Sequence, residues 1–333
     1  MLLPDYESLY DNTIEGTFLE TARDRVAKDV GMKMFNAKDS KKRTISKRMV
    51  HGQKGVAFVA ESADLPNATG EEGDNISWTQ SYYGTNVIVT KHMRTFMMEG
   101  SDDGDADVEE VQDIVQTITD DGFDKIDQSF ADRILFGHAT SYTDVYGKVQ
   151  TAVTPDGAAL FSASHTALST TFSNLCVNAA GTENVAFSRE AVIATRNKAL
   201  TYKDANGQLR PIVLDTIYHS QDLTDAVERA IFSEKIAGSA NNDMNKTTPL
   251  KSMKSIEWAR LAVDGQGTAK GTYWFMANAA KLNNALKAYF AQKPMLQKSK
   301  EAAGNTNWYY PFDYFYTMGT FAPQYIYGST GAA

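Results

Sequence analysis

The stretch DADVEEVQDIVQTITDDGFDKIDQSFADRILFG, residues 105–137, constrains the fold more than any other part of the chain. Val111, Val115, Ile118, Ile126, Phe130 and Ile134 recur at spacings near 3.6, which places them on one face of an α-helix. Asp107, with Glu110 three residues on, resembles a capping box. The acids of the first turn suit the positive end of the helix dipole, and Gly137 stands where a C-cap belongs. Some thirty residues at ~1.5 Å each make a rod of roughly 45 Å, long enough to span the molecule. Only one stripe is apolar; the opposite side is acidic and faces water.

Charge is unevenly placed. The net charge is −8 over 333 residues. Residues 105–136 hold ten acids and two bases, a local −8, while residues 21–54 hold eleven bases and three acids, a local +8. Such asymmetry marks two surfaces meant for different partners, or for each other. Apolar residues make up 42% and charged residues 22%, the range of a globular protein with a real core. No apolar run reaches the ~18–20 residues of a membrane helix. The start, MLLPDYESLYDN, lacks the basic segment of a signal peptide. Cys176 is the single cysteine, which excludes an intrachain disulfide and a multi-cysteine metal site and fits a reducing compartment.

Around the long helix the elements are mixed, giving an α+β class. ETARDRVAKDVGMKMF reads as a short helix with Leu19, Val26 and Val30 on one side. NAKDSKKRTISKRMVHGQKG is too basic to bury much: a solvated linker, or an arm that lies on something acidic. Two extended runs, Val56–Ala60 and Trp78–Lys91, flank a tip rich in Gly, Pro, Asn and Glu and read as a hairpin. Two isolated strands are marginal in water, so the hairpin needs a surface. Its aromatic residues Phe58, Trp78, Tyr82 and Tyr83 pack either on their own domain or on a neighbouring subunit. Helices are expected at SREAVIATRNKAL and DLTDAVERAIFSEKI, turns at Pro155-Asp156-Gly157 and Asn206-Gly207, a loop at GSANNDMNKTTP and a strand at GTYWFMANAA. The aromatic C-terminal stretch reads as extended. No internal repeat is visible.

Candidate chemistry is sparse. DGAALFSASHT (156–166) brings Asp156, Ser162, Ser164 and His165 together, yet neither serine has the flanking glycines of a nucleophile elbow. GQGTAKG has the wrong glycine spacing for a dinucleotide fingerprint and precedes a strand. DDGDADVEE places Val108 where a calcium loop needs glycine. The five histidines, His51, His92, His138, His165 and His219, are scattered. No catalytic residue, metal site or cofactor is expected. A long one-sided helix, a protruding hairpin and a basic arm describe a chain that assembles.

In their order these features resemble the major capsid protein family of tailed bacteriophages, whose fold encapsulins and herpesvirus shells share. The matching features are the basic arm, the hairpin, the acidic helix ending in RILFG, P-D-G-x-x-L-F-S-x-x-H at 155–165 and D-x-x-G-x-L-x-P at 204–211. DAVERAIFSE, NNDMN and a strand carrying Trp274 follow. IVLDTIYHS departs from the pattern, with Asp215 where a proline is common. The resemblance implies an N-terminal arm (1–52), an extended loop (53–90), a peripheral domain (91–170) with its spine helix at about 105–137, an axial domain (171–300) and return strands (301–333). It implies hexamers and pentamers in an icosahedral shell around double-stranded DNA, inside a virion assembled in the host cytoplasm. Partners would be a portal, a separate scaffold and decoration proteins, with no membrane. It also implies that Asp113, Asp120, Asp121, Asp124 and Asp127 form an acidic inner face, repelling DNA so that the genome slides. Arg23, Arg25, Lys28, Lys41, Lys42, Arg43, Lys47 and Arg48, with the hairpin aromatics, would contact adjacent subunits. Lys54 at the foot of the hairpin has no identifiable cross-linking partner, so no isopeptide chemistry is carried over. The rival readings are an encapsulin-type compartment and a Ser/His hydrolase.

Overall fold

The computed structural model describes residues 3–51, 71–92, 104–168, 170–233, 248–301 and 307–331. In chain order the elements begin with α1 (Leu3–Lys28), α2 (Val30–Phe35), β1 (Lys38–Asp39), β2 (Thr44–His51), β3 (Glu71–Thr79), β4 (Ser81–Val89) and α3 (Gly104–Leu135). Short strands β5 (Ser141–Thr143), β6 (Val149–Thr151), β7 (His165–Ala167) and β8 (Thr170–Phe172) follow. Next come α4 (Arg189–Leu200), β9 (Thr216–His219), α5 (Thr224–Ile231), α6 (Thr248–Lys251), β10 (Lys254–Glu257) and β11 (Trp274–Ala277). The chain closes with α7 (Leu282–Ala285), β12 (Leu286–Leu296), β13 (Lys300–Glu301), β14 (Trp308–Thr320) and β15 (Ile326–Ser329). Among the described residues no helix is long and apolar enough to cross a membrane.

The spine helix is α3, and its stripe does what the spacing predicts. Val111, Val115, Ile126, Phe130 and Ile134 are buried and Ile118 packs beside them. Between Ile118 and Ile126 the stripe lacks a large side chain. Thr119 fills part of the gap, its hydroxyl donating to the Val115 carbonyl. Gly122 fills the rest, because the Phe312 ring of β14 lies where its side chain would be. The stripe rests on a sheet ordered β1-β12-β14-β13, with β4 on the other edge of β14. Tyr310, Phe312, Tyr314 and Tyr316 of β14 form the aromatic half of this first core.

A second core gathers Val192, Leu214, Val227, Ile231, Leu250 and Met253 under α4 and α5. Between the two cores stands a four-stranded sheet, β10-β9-β11-β15. Its residues alternate as a strand must. Tyr218, Phe275, Ala277 and Ile326 join the first core, while Ile217, Trp274, Met276 and Tyr327 join the second. The sheet therefore has no wet face at these positions. β12 runs back into the first sheet beside β14, and Leu282 and Ala285 just before it join the first core.

Several expectations change. The N-terminal arm is not a short helix: α1 runs to Lys28 and buries Ile14 and Phe18, leaving Leu19 and Val26 exposed. Asp29 breaks the helix and caps α2, accepting the Met32 N–H. The hairpin partners are β2 and β3, with Ile45 opposite Trp78. The basic run read as a solvated linker or an arm thus supplies a strand. Val56–Ala60, Phe58 and the NNDMN loop lie outside the described residues. Trp78–Lys91 is not one strand; β4 leaves the hairpin after Gln80 to pair with β14.

A short repeat also emerges. At 144, 154, 178, 204 and 264 the chain makes the same five-residue turn, with glycine three positions on at φ between 75° and 84°. In each the first residue's N–H donates to the carbonyl four residues later, at 2.8–3.0 Å. Asp144, Asn178, Asp204 and Asp264 also accept two backbone N–H groups within the turn. This is a three-residue hairpin loop closed by a left-handed glycine.

An alanine in the middle of a helix ordinarily outdoes glycine by about 1 kcal/mol. At Gly122 the new Cβ would lie 2.4 Å from Phe312 Cε1, and that ring is held between Phe18 and Tyr314. Gly122→Ala should therefore destabilise by about 1–2 kcal/mol in chemical denaturation. A gain in stability would mean the ring is free to move.

Candidate functional site: the spine ladder, the hairpin root and the buried histidine

The wet face of α3 is not left to solvent. Asp120, Asp124 and Asp127 fall on one side of the helix at spacings of four and three. Arg25 of α1 reaches across to two of them, with Nε 2.6 Å from Asp120 and Nη2 2.8 Å from Asp124. Arg260, in the turn before Ala262, places Nη2 2.5 Å from Asp124 and Nε 3.7 Å from Asp127. The result is an alternating ladder, Asp120–Arg25–Asp124–Arg260–Asp127, that ties three segments together. Partial burial works against the Arg25 charge, and Asp120 and Asp124 outweigh it, so its affinity for the proton rises. Arg25 is thus paired within its own chain. Isolated exposed pairs give only ~0–1 kcal/mol, and a shared network is the case in which they count.

The ladder ends in a pair of carboxyl groups. Asp127 accepts the Gly31 N–H at 3.1 Å and the Trp258 indole N–H at 3.1 Å. Asp29 sits beside it, buried, at the break between α1 and α2. Burial first, then the Asp127 charge, push the Asp29 carboxyl up to about 7. Asp113 and Asp121 remain exposed, and Asp121 pairs with Lys125 at 2.8 Å. Sequence reasoning missed Arg260, a lone base with no local pattern. It missed Asp29 too, although an Asp before an apolar run is an N-cap signal.

Of the other basic residues, Arg23, Lys41, Lys42 and Arg43 are exposed, and Lys28 pairs with Asp24 at 3.8 Å. Arg48 crosses the hairpin to Glu72 at 2.5 Å. Lys47 lies 6.0 Å from the centre of the Tyr289 ring. The aromatic residues divide. Trp78 is buried against Tyr289 and Phe321, and Tyr83 packs among Tyr146, Tyr314 and Tyr316. Tyr82 stays 58% exposed, its ring tilted against Phe315 with the hydroxyl donating to Asp313. Trp78 and Tyr83 are therefore packed on their own chain.

The structure brings His165 and Asp156 together but not with a serine. His165 is fully buried; Nδ1 lies 2.9 Å from Asp156 Oδ2 and Nε2 3.1 Å from the Leu160 carbonyl. Both ring nitrogens are occupied, so no general base faces a hydroxyl. Ser162 Oγ accepts the Ser164 N–H, and the Ser162 N–H donates to Asn174. Burial alone would raise Asp156, and the bonds from His165, Thr154 and the Thr166 N–H overcome it, holding it at about 2. Phe161 stacks on Phe275 across the four-stranded sheet. The segment is a structural knot. Among the described residues no cluster of His, Cys, Asp or Glu could hold a metal.

No family model and no curated protein matches the chain. Solved structures do. The chain from "Capsid of empty GTA particle computed with C5 symmetry" superposes with a TM-score of 0.51 at 12% identity, covering 92% of this chain and 90% of that one. A chain from Mycobacterium phage Adephagia gives 0.49 at 13% identity, with 91% and 90% covered. One from the capsid of Myoviridae Phage XM1 gives 0.46 at 11%, with 90% of each chain covered. The first of these shows that the chain shares its fold with that capsid chain.

Two outcomes test the site. Asp29 holds a proton in the folded state that the unfolded chain has released, so stability should fall as pH rises from about 4 to about 7. Asp29→Asn keeps the cap and can donate to Asp127 without a charge. It should exceed the parent by about 1–2 kcal/mol at pH 8 and lose that advantage below pH 4; equal pH profiles would contradict the assignment. His165→Ala should cost about 3 kcal/mol, while a fluorophosphonate probe should leave Ser162 and Ser164 unlabelled in the parent chain.

Proposed function

We propose that this chain is the major capsid subunit of a tailed bacteriophage. It assembles with copies of itself into hexamers and pentamers of an icosahedral shell that encloses double-stranded DNA. The observation that carries the reading is the fold, which superposes on a capsid chain with a TM-score of 0.51; here it consists of a one-sided helix on an aromatic sheet, the paired strands β2 and β3, and a second core. It acts as a structural subunit and not a catalyst, in keeping with a His165 ring engaged at both nitrogens. Its place is the virion, with assembly in the host cytoplasm. A portal and a scaffold complete the shell.

Electrostatics refine the relation to DNA. Of the five acids assigned to an inner face, Asp120, Asp124 and Asp127 share the two positive charges of Arg25 and Arg260, and Asp121 pairs with Lys125, while Asp113 is exposed. The inner wall then disfavours DNA adhesion by offering little free positive charge rather than by a dense acidic stripe.

Electron microscopy of the purified chain, alone and with its scaffold, tests the proposal. Uniform hollow shells or hexagonal sheets of capsomers are expected. Shells purified from infected cells should contain nuclease-protected DNA; shells filled with a protein cargo would instead favour a compartment. A chain that stays monomeric with scaffold supplied would sink the assignment.

A further inference from the structure

Two buried histidines, His165 and His219, are bonded in opposite ways. Both nitrogens of His165 face acceptors. In His219, Nδ1 lies 2.8 Å from the Ser220 carbonyl and Nε2 lies 2.7 Å from the Ser255 hydroxyl. A neutral imidazole carries one ring proton. A carbonyl can only accept, so that proton sits on Nδ1, and the lone pair of Nε2 receives the Ser255 O–H. Hydroxyl and base stand within the about 2.6–3.2 Å of an activated nucleophile, and the Ser220 carbonyl is the third, orienting group.

The sheet fixes this geometry. β9 and β10 run parallel, with Ile217 opposite Ser255 and His219 opposite Glu257. Alternation puts Ser255 and His219 on the same face, diagonally across neighbouring strands. On its other side His219 is opposite Trp274 of β11, which is fully buried and donates its indole N–H to the Val185 carbonyl. Ser220 is buried too, and its hydroxyl donates to the Gly271 carbonyl at 3.0 Å. The ring is therefore walled in, and the residue that orients it is pinned.

Ser255 itself lies at the border of the sheet. Among the described residues β10 is an end strand, and Ser255 is half-buried while Lys254 and Glu257 are exposed. The Lys254 and Trp258 N–H groups reach β9, donating to the Asp215 and His219 carbonyls. Along a parallel ladder alternate N–H groups point opposite ways, so that of Ser255 faces the open edge. A carbonyl that approaches Ser255 from this edge meets the serine's own N–H beside its hydroxyl. Such a donor stabilises the oxyanion of a tetrahedral intermediate.

We propose that Ser255 is an acylation site, with His219 Nε2 as its base and an activated carboxylic ester as the acyl donor. Ser255 Oγ attacks the ester carbonyl carbon while its proton passes to His219 Nε2. The C–O bond to the alcohol then breaks, and the alcohol leaves with that proton. The acyl group remains on Ser255 and the imidazole returns to its starting state. The subunit is modified once rather than turned over, which is compatible with a structural role.

Mass spectrometry of the full chain treated with p-nitrophenyl acetate tests the site. Peptide mapping should find the acetyl group on Ser255, formed at least about a hundredfold faster than on the exposed Ser141. His219→Gln should slow it about a hundredfold, and Ser255→Ala should abolish it, each variant being checked for folding by circular dichroism. A fluorophosphonate probe should label the same residue. Acetylation of Ser255 no faster than Ser141, which the parent chain alone reports, would overturn the proposal, as would an unchanged rate in folded His219→Gln.

Discussion

A helix of 32 residues with one apolar stripe presents two demands at once. The stripe must be buried against something long, and the opposite acids must be compensated or left in water. β14, 13 residues long, meets the first demand with Phe312, Tyr314 and Tyr316. Arg25 and Arg260, far apart in sequence, meet the second. The rest of the architecture hangs on that helix. α1 and α2 lie along it through Arg25, Gly31 and the Phe35–Phe130 ring contact at 4.7 Å. The turn before Ala262 docks onto it through Arg260 and through Trp258, whose indole donates to Asp127.

The spine helix was legible because periodicity survives even where the stripe is interrupted: Thr119 and Gly122 break the apolar pattern without breaking the period. α1 was not, because Ile14 and Phe18 are too few to outvote the conspicuous but exposed Leu19 and Val26. The hairpin register was hidden by composition. In β2 the inward residue Ile45 stands among Lys47, Arg48 and other polar groups, and a strand read by its apolar alternation disappears when one face carries charge.

The candidate site was legible in its parts and not in its pairings. Composition marked the basic segment and the acidic helix as complementary, yet only three-dimensional placement shows that they partly satisfy each other within one chain. Two of the five turns were legible, at Pro155-Asp156-Gly157 and at Asn206-Gly207. Asp144, Asn178 and Asp264 open the other three, where the left-handed glycine three positions on is the feature common to all. The segment 156–166 has the residue types of a hydrolase and the bonding of a clasp; the difference lies in which acceptors face His165, which spacing does not encode.

The four-stranded sheet has a mechanical meaning. A sheet with one wet face can flex toward solvent, and motion on its packed side dies out in the water. Here Phe275 presses on one core and Trp274 and Met276 on the other, all three fully buried. Close-packed interiors are stiff and pass strain along. The sheet behaves as a diaphragm between two filled chambers: a tilt imposed on the spine side is delivered to the helices α4 and α5 instead of being absorbed. The two halves then yield together, as one lever.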